Sequence, residues 1–240
     1  MIKPILFNTE MVQAILEGRK TTTRRIIKVN SSFDFIGCSS EDGCEFNRAA
    51  FGKGSFDKLL DAEIKERIKA PYMPGNILYV RETWQISNPM GDFARNNRTA
   101  EYIYKAGYAK GERISITRED EKNLGVWKPS IHMPREAARI FLKVISVRVE
   151  RLQDITEDGA KTEGANPQLW YQPYRTKNEG QQRYVGDITH QEINYRTGFA
   201  QIWDNTLDIH DKLAWQYTFE NNPWVWVIEF ERIDKSEVEQ

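Results

Sequence analysis

Gly18-Arg19-Lys20-Thr21-Thr22-Thr23-Arg24-Arg25 follows directly on a short amphipathic segment, and the junction between the two decides how the chain is read. Upstream, Met11, Val12, Ile15 and Leu16 form an apolar stripe at helical spacing. Asn8 can cap that helix by accepting from its free N–H groups, and Glu10 suits its positive start. The pattern predicts a helix from Thr9 to Glu17, with Gly18 supplying the left-handed residue that ends it. Three β-branched threonines then favour an extended chain. Fully extended, Lys20, Thr22 and Arg24 would share one side, and Arg19, Thr21, Thr23 and Arg25 the other. A break near the helix end would let Lys20 and Thr23 converge. Residues 19–28 carry five cations and no acid, so a bound anion or nearby carboxylates would relieve their repulsion.

Further along, Ile2–Phe7 reads as a short strand and residues 30–71 as loops and turns, ending in a surface helix over Phe56–Lys69 with Leu59, Leu60 and Ile64 on one side. Gly75-Asn76 is a turn before a strand over Ile77–Trp84. Residues 87–100 read as a loop, Tyr102–Tyr104 as a short strand, 107–125 as charged and solvent-facing, and Trp127–Pro134 as extended chain. Arg135–Val149 holds the most apolar strand, expected to be central. Thr156 caps a second helix that Gly164 closes; residues 166–197 are a polar insertion. Phe199, Ile202, Trp203 and Leu207 mark a third helix, and Trp224–Phe230 a closing strand before a frayed tail from Asp234. Strands outnumber helices without a repeated strand–helix rhythm. The expected class is α+β, a small mixed β-barrel with flanking short helices and long insertions at 30–71, 87–128 and 166–197.

The 240 residues balance 34 Lys+Arg against 35 Asp+Glu, which excludes a uniformly basic nucleic-acid coat and an acidic tail protein. Aromatics make up 12% of the chain, enough large rings to argue against intrinsic disorder. Near neutrality averages the basic strip against acidic stretches around 154–163 and 229–239. No apolar run reaches a membrane span, the start is no signal peptide, and two cysteines make no disulfide framework, so a cytoplasmic protein is expected. Cys38 and Cys44 with scattered His132, His190 and His210 lack the paired spacing of a zinc site, so neither metal nor cofactor is expected. There is no Gly-rich phosphate loop before a helix, no Gly-x-Ser-x-Gly elbow and no His-Glu-x-x-His pair. Trp84, Trp127, Tyr102 and Tyr104 would stack bases beside the basic strip, whereas Trp203, Trp224 and Trp226 are assigned to the core.

The run Gly18-x-Lys20-x-x-Thr23-x-Arg25 after a short helix resembles the signature of ASCH domains, small barrels of the PUA-like superfamily. Gly75–Val80 resembles that family's strand opening, Leu152–Gly164 the helix after its central strand, and Trp224–Phe230 its closing strand. These four pieces lie in the family's order and cover less than half of the chain. The whole also resembles longer ASCH-like proteins encoded by phages and prophages.

The resemblance implies a cleft for a nucleobase, nucleoside or RNA, in one 240-residue domain. One subgroup, the bacterial N(4)-acetylcytidine amidohydrolases, matches at Lys20, Thr23 and Glu163, with Glu157 as the competing alignment for the acid. On that pattern Lys20, its pKa lowered by neighbouring cations and burial, would take the Thr23 proton. Glu163 would orient Lys20 or pass a proton to the departing nitrogen, and Arg25 would hold the oxyanion or a phosphate. Gly18, Arg19, Arg24, Arg25, Arg81 and Trp84 complete the expected substrate-binding set. The competing classes are a non-catalytic reader of RNA, DNA or a modified base, a ribonuclease, and a phage effector that binds a host protein.

Overall fold

Asn8 opens the first helix as its side chain predicts, its Oδ1 accepting from the Met11 N–H at 2.8 Å. Gly18 closes it with φ +73°, a backbone conformation that costs glycine little and other residues more. The computed structural model that shows this describes residues 1–39, 47–54, 63–87, 99–107, 110–117, 121–169, 173–174, 183–184, 193–207 and 214–238. In chain order the elements are β1 (Ile2–Leu6), α1 (Thr9–Leu16), β2 (Thr22–Ile26), β3 (Asp34–Ser39), β4 (Arg48–Lys53), β5 (Glu63–Lys69), β6 (Ile77–Arg81), β7 (Trp84–Ser87), β8 (Thr99–Tyr104), β9 (Lys110–Ser115) and β10 (Phe141–Arg151). There follow α2 (Glu157–Thr162), four two-residue strands β11 (Gln168–Leu169), β12 (Pro173–Tyr174), β13 (Arg183–Tyr184) and β14 (Ile193–Asn194), then α3 (Tyr195–Asn205), β15 (Trp224–Ile233) and α4 (Lys235–Val238). The protein is thus a mixed α+β chain, mostly strands with few helices. Among the described residues no helix is long and apolar enough to cross a membrane.

The chain divides into two compact units: Met1–Thr21, Pro71–Val147 and Ile228–Gln240 form the first, Thr22–Ala70 and Arg148–Val227 the second. In the first, β6 lies between β1, its parallel neighbour, and β10, its antiparallel one; β15 follows β10. The expectation of an interior strand thus holds for Phe141–Arg151, while Arg135–Ala137 forms a 3₁₀ turn before it. The predicted Ile77–Trp84 strand is two strands. It breaks after Arg81, and Trp84–Ser87 joins a separate antiparallel meander in the order β7-β8-β9. The break is pinned by the buried Glu82 carboxylate, which takes two hydrogen bonds from Arg139, Nε to Oε1 at 2.8 Å and Nη2 to Oε2 at 2.9 Å. Trp84, Ile86, Tyr102, Tyr104, Met133 and Phe141 pack as one apolar cluster.

In the second unit β15 lies between β10 and β2, and β3-β4-β5 form an antiparallel sheet. Residues 63–69 are therefore a strand and not the end of a helix; Leu59 and Leu60 lie outside the described residues. Glu63-Ile-Lys-Glu-Arg-Ile-Lys69 carries charge on both faces, as an exposed edge strand does. Gly52, expected in a turn, sits inside β4, where a Cβ would lie 2.0 Å from the Glu63 carbonyl oxygen. Phe35, Phe51 and Trp224 pack with tilted rings at centroid separations of 5.7–5.9 Å, and the Trp224 indole N–H donates to the Phe33 carbonyl at 3.1 Å. A second cluster joins Leu152, Ile155, Ala160, Phe199, Trp203, Val225 and Val227.

Residues 110–115, read as charged and solvent-facing, form a strand that pairs with β8. Two more readings change: Ser130–His132 turn as a 3₁₀ segment between extended flanks, and the tail carries α4, whose Val238 packs on the first cluster.

Candidate functional site

Six polar or charged residues are buried among the described residues: Lys20, Thr22, Thr23, Arg24, Glu82 and Glu163. Five of them belong to the basic strip or to its expected acid. Burying an ionisable head group costs several kcal/mol unless it is compensated, so such a concentration marks either an internal ion-pair network or a reactive site.

In the first unit, Lys20 follows the helix end. Its N–H donates to the Ala14 carbonyl at 3.0 Å, its side chain is 2% exposed, and its Nζ lies 5.5 Å from the Phe7 ring centroid. Phe7 in turn tilts against Phe230 at 6.3 Å, so the lysine head meets an aromatic floor. Arg19 points away into an exposed pair with Glu17 at 2.7 Å. Arg81 donates from Nε to the Met133 carbonyl at 2.9 Å and from Nη2 to that of Ile131, tying β6 to the 3₁₀ segment. Trp84, Tyr102 and Tyr104 are core residues, with Trp84 and Tyr102 edge-on at 5.6 Å. All three rings are enclosed in the apolar cluster of the first unit, away from the stacking role expected of them. Trp127 is half-buried.

In the second unit, β2 carries Thr22, Thr23 and Arg24, all buried, so the simple in–out alternation of an exposed strand fails here. The Thr22 and Thr162 hydroxyls are 3.0 Å apart, and Thr162 Oγ1 donates to the Gly159 carbonyl at 2.9 Å. Thr23 is 1% exposed. Arg24 donates from Nη1 to Glu163 Oε1 at 3.0 Å and from Nη2 to Glu150 Oε2 at 3.1 Å, while its Nε–H is buried without an acceptor. Its guanidinium carbon sits 5.8 Å from the Phe199 ring centroid. Glu150 also pairs with the half-exposed Arg148. Arg25 is half-buried, its Nη1 3.4 Å from the Arg24 carbonyl.

Helix α2 positions the acid. Thr156 Oγ1 accepts from the Gly159 N–H at 2.9 Å, which starts the helix as expected, and Glu163 is its C-cap, with its own N–H on the Gly159 carbonyl at 3.1 Å. A carboxylate there faces the negative end of the helix and is desolvated, so both effects oppose its charge. Arg24 supplies the compensating cation. Glu157, the competing alignment, is engaged elsewhere. Its carboxylate accepts from the Tyr195 and Arg196 N–H groups at 2.8 and 3.2 Å, capping the start of α3.

The structure therefore brings Arg24 and Glu163 together, with Glu150 as a partner that sequence reading missed. Glu150 stands at the end of β10 in Arg148-Val-Glu-Arg151, a charged alternation that could have been read as an inward acid. Arg24, expected to meet substrate, is engaged by two carboxylates. Lys20 belongs to the first unit, and Thr23 and Glu163 to the second. The Glu82–Arg139 pair was also missed; an acid two residues past the apolar run Ile77–Val80 was its only signal. Compared with protein-family models, curated proteins and solved structures, the chain matches none.

Proposed function

We propose that this protein is an ASCH-type, PUA-like hydrolase of the cytoplasm that removes an acyl group from the exocyclic amine of a modified cytosine nucleoside. On the resemblance, Thr23 is the nucleophile that adds to the acyl carbon and Lys20 is its base. The C–N bond then breaks as the ring amine takes up a proton, and water hydrolyses the resulting ester to acetate and free Thr23. Glu163 serves the proton transfers and Arg25 the developing oxyanion.

One observation carries this reading: Lys20, Thr23 and Glu163, the residues the resemblance singles out, are all buried, at 2%, 1% and 7% exposure. A lysine, a threonine and a glutamate chosen by an external motif have no reason to be jointly inaccessible if they were solvated surface. Binding of RNA through the basic strip has less support, because Arg19 is paired with Glu17 and Arg24 with Glu150 and Glu163. Cations already matched by carboxylates release few counterions from phosphates.

The test is incubation of the purified chain with N(4)-acetylcytidine, with acetate and cytidine measured. Wild type is expected to turn over, and Lys20→Ala to lose about 10²-fold or more of the rate. Absence of acetate from wild type, or an undiminished Lys20→Ala, overturns the reading.

A further inference from the structure

We propose that Arg24 is a positioning residue for Glu163 and makes no contact with substrate. This rests on the hydrolase reading above and goes beyond it, because neither the motif spacing nor the resemblance assigns Arg24 an internal role.

The argument starts from position. Arg24 lies between the two motif residues that follow Lys20, on a strand where an apolar side chain would fill the same space at no electrostatic cost. Its side chain is 3% exposed, that of Glu163 5%, that of Glu150 24% and that of Arg148 44%. The four form a graded chain of alternating charge from solvent to Glu163. Each link is made with one oxygen of a carboxylate. Glu150 uses Oε2 for Arg24 and Oε1 for Arg148. This geometry fixes the rotation of Arg24, and Arg24 fixes one oxygen of Glu163.

Two further sides of the guanidinium are covered, while its buried Nε–H has no acceptor. Phe199 lies under it, and a Cβ on Gly159 would come within 3.7 Å of Nη2. A cation enclosed in this way by two carboxylates, a ring and a helix is set against its neighbours and not toward a ligand. Glu163 needs such a partner, being buried at a helix C-terminus where its charge is opposed twice. Orientation is also what the chemistry demands of it, because proton transfer requires donor and acceptor within hydrogen-bond reach in the reacting geometry.

The experiment compares wild type, Arg24→Met, Arg24→Lys and Glu150→Gln for kcat and KM on N(4)-acetylcytidine, with circular dichroism confirming that each is folded. A positioning role predicts that Arg24→Met lowers kcat at least tenfold with KM within twofold. Arg24→Lys then recovers part of the loss, and Glu150→Gln lowers kcat about threefold through the loosened Arg24. Should Arg24→Met fail to fold, Arg24→Lys and Glu150→Gln carry the same test. A rise in KM with kcat preserved makes Arg24 a substrate contact and overturns the proposal, as does kcat within twofold of wild type in every variant. Turnover by wild type separates this failure from that of the hydrolase reading, which a silent wild type would overturn first, taking the positioning role with it.

Discussion

Two buried arginine–glutamate pairs, one in each unit, make opposite use of the same chemistry. In the first unit Arg139 meets Glu82 with two parallel hydrogen bonds, gives a third to the Ala106 carbonyl at 2.7 Å, and lies 4.2 Å from the Tyr104 ring centroid. Both carboxylate oxygens are taken by one partner, the arrangement that best offsets desolvation. In the second unit Arg24 splits its two terminal nitrogens between Glu150 and Glu163 and leaves its Nε–H without an acceptor. The saturated pair looks inward and fastens the point where β6 gives way to β7. The divided pair holds an acid at a helix end. The difference teaches that a buried charge is not in itself a sign of function; incomplete and divided partnering is the more telling feature.

The strongest way to break the comparison is Arg139→Met. It leaves Glu82 buried and unpaired, and about 3–5 kcal/mol of stability should be lost at neutral pH in urea unfolding. The folded fraction should keep its turnover, which Arg24→Met should not. Loss of activity without loss of stability in Arg139→Met would reverse the roles assigned to the two pairs.

A smaller effect follows from protonation. Burial pushes the Glu82 carboxyl above its ordinary value of 4.5, with the Arg139 hydrogen bonds and charge opposing the rise. The folded state then holds this proton more tightly than the unfolded chain. The associated stability is fully present below the unfolded value and is lost as pH rises through the folded one. Urea midpoints measured from about pH 4 to 7 should show this decline in wild type, and Glu82→Gln should flatten it. An unchanged slope in Glu82→Gln would place the pH dependence elsewhere.

The smallest effect belongs to the surface. Arg19→Ala removes an exposed pair with Glu17 and should change stability by no more than about 0.5 kcal/mol. A larger change would mean that exposed pairs of the basic strip matter as much as the buried one.

Local chemistry made much of this readable in advance. Asn8, Gly18, Thr156 and Gly164 delimit α1 and α2 because caps are set by neighbours within four residues. Long apolar runs announced β10 and β15. The β3-β4-β5 sheet was not readable, because Glu63–Lys69 is charged on both faces and its pattern serves a solvated helix as well as an edge strand. Trp84 is a related case: an indole looks the same in sequence whether it faces solvent or Tyr102. At the site, Lys20, Thr23 and Glu163 were singled out by the motif and not by their burial; the Arg24–Glu163 bond joins positions 139 residues apart, and Glu150 was marked only by the charged alternation Arg148–Arg151.

The Glu157 carboxylate that caps α3 has one more consequence. It clasps residues 195 and 196 from a helix that ended more than thirty positions earlier, and Gln168–Leu169 pair with Ile193–Asn194 beside it. The two ends of the intervening stretch are thus stapled together. A segment closed at its base can lengthen at little entropic cost, about 0.6 kcal/mol for each doubling. Resizing what lies between those ends is expected to cost little stability as long as the Glu157 clasp and the β11–β14 pair hold.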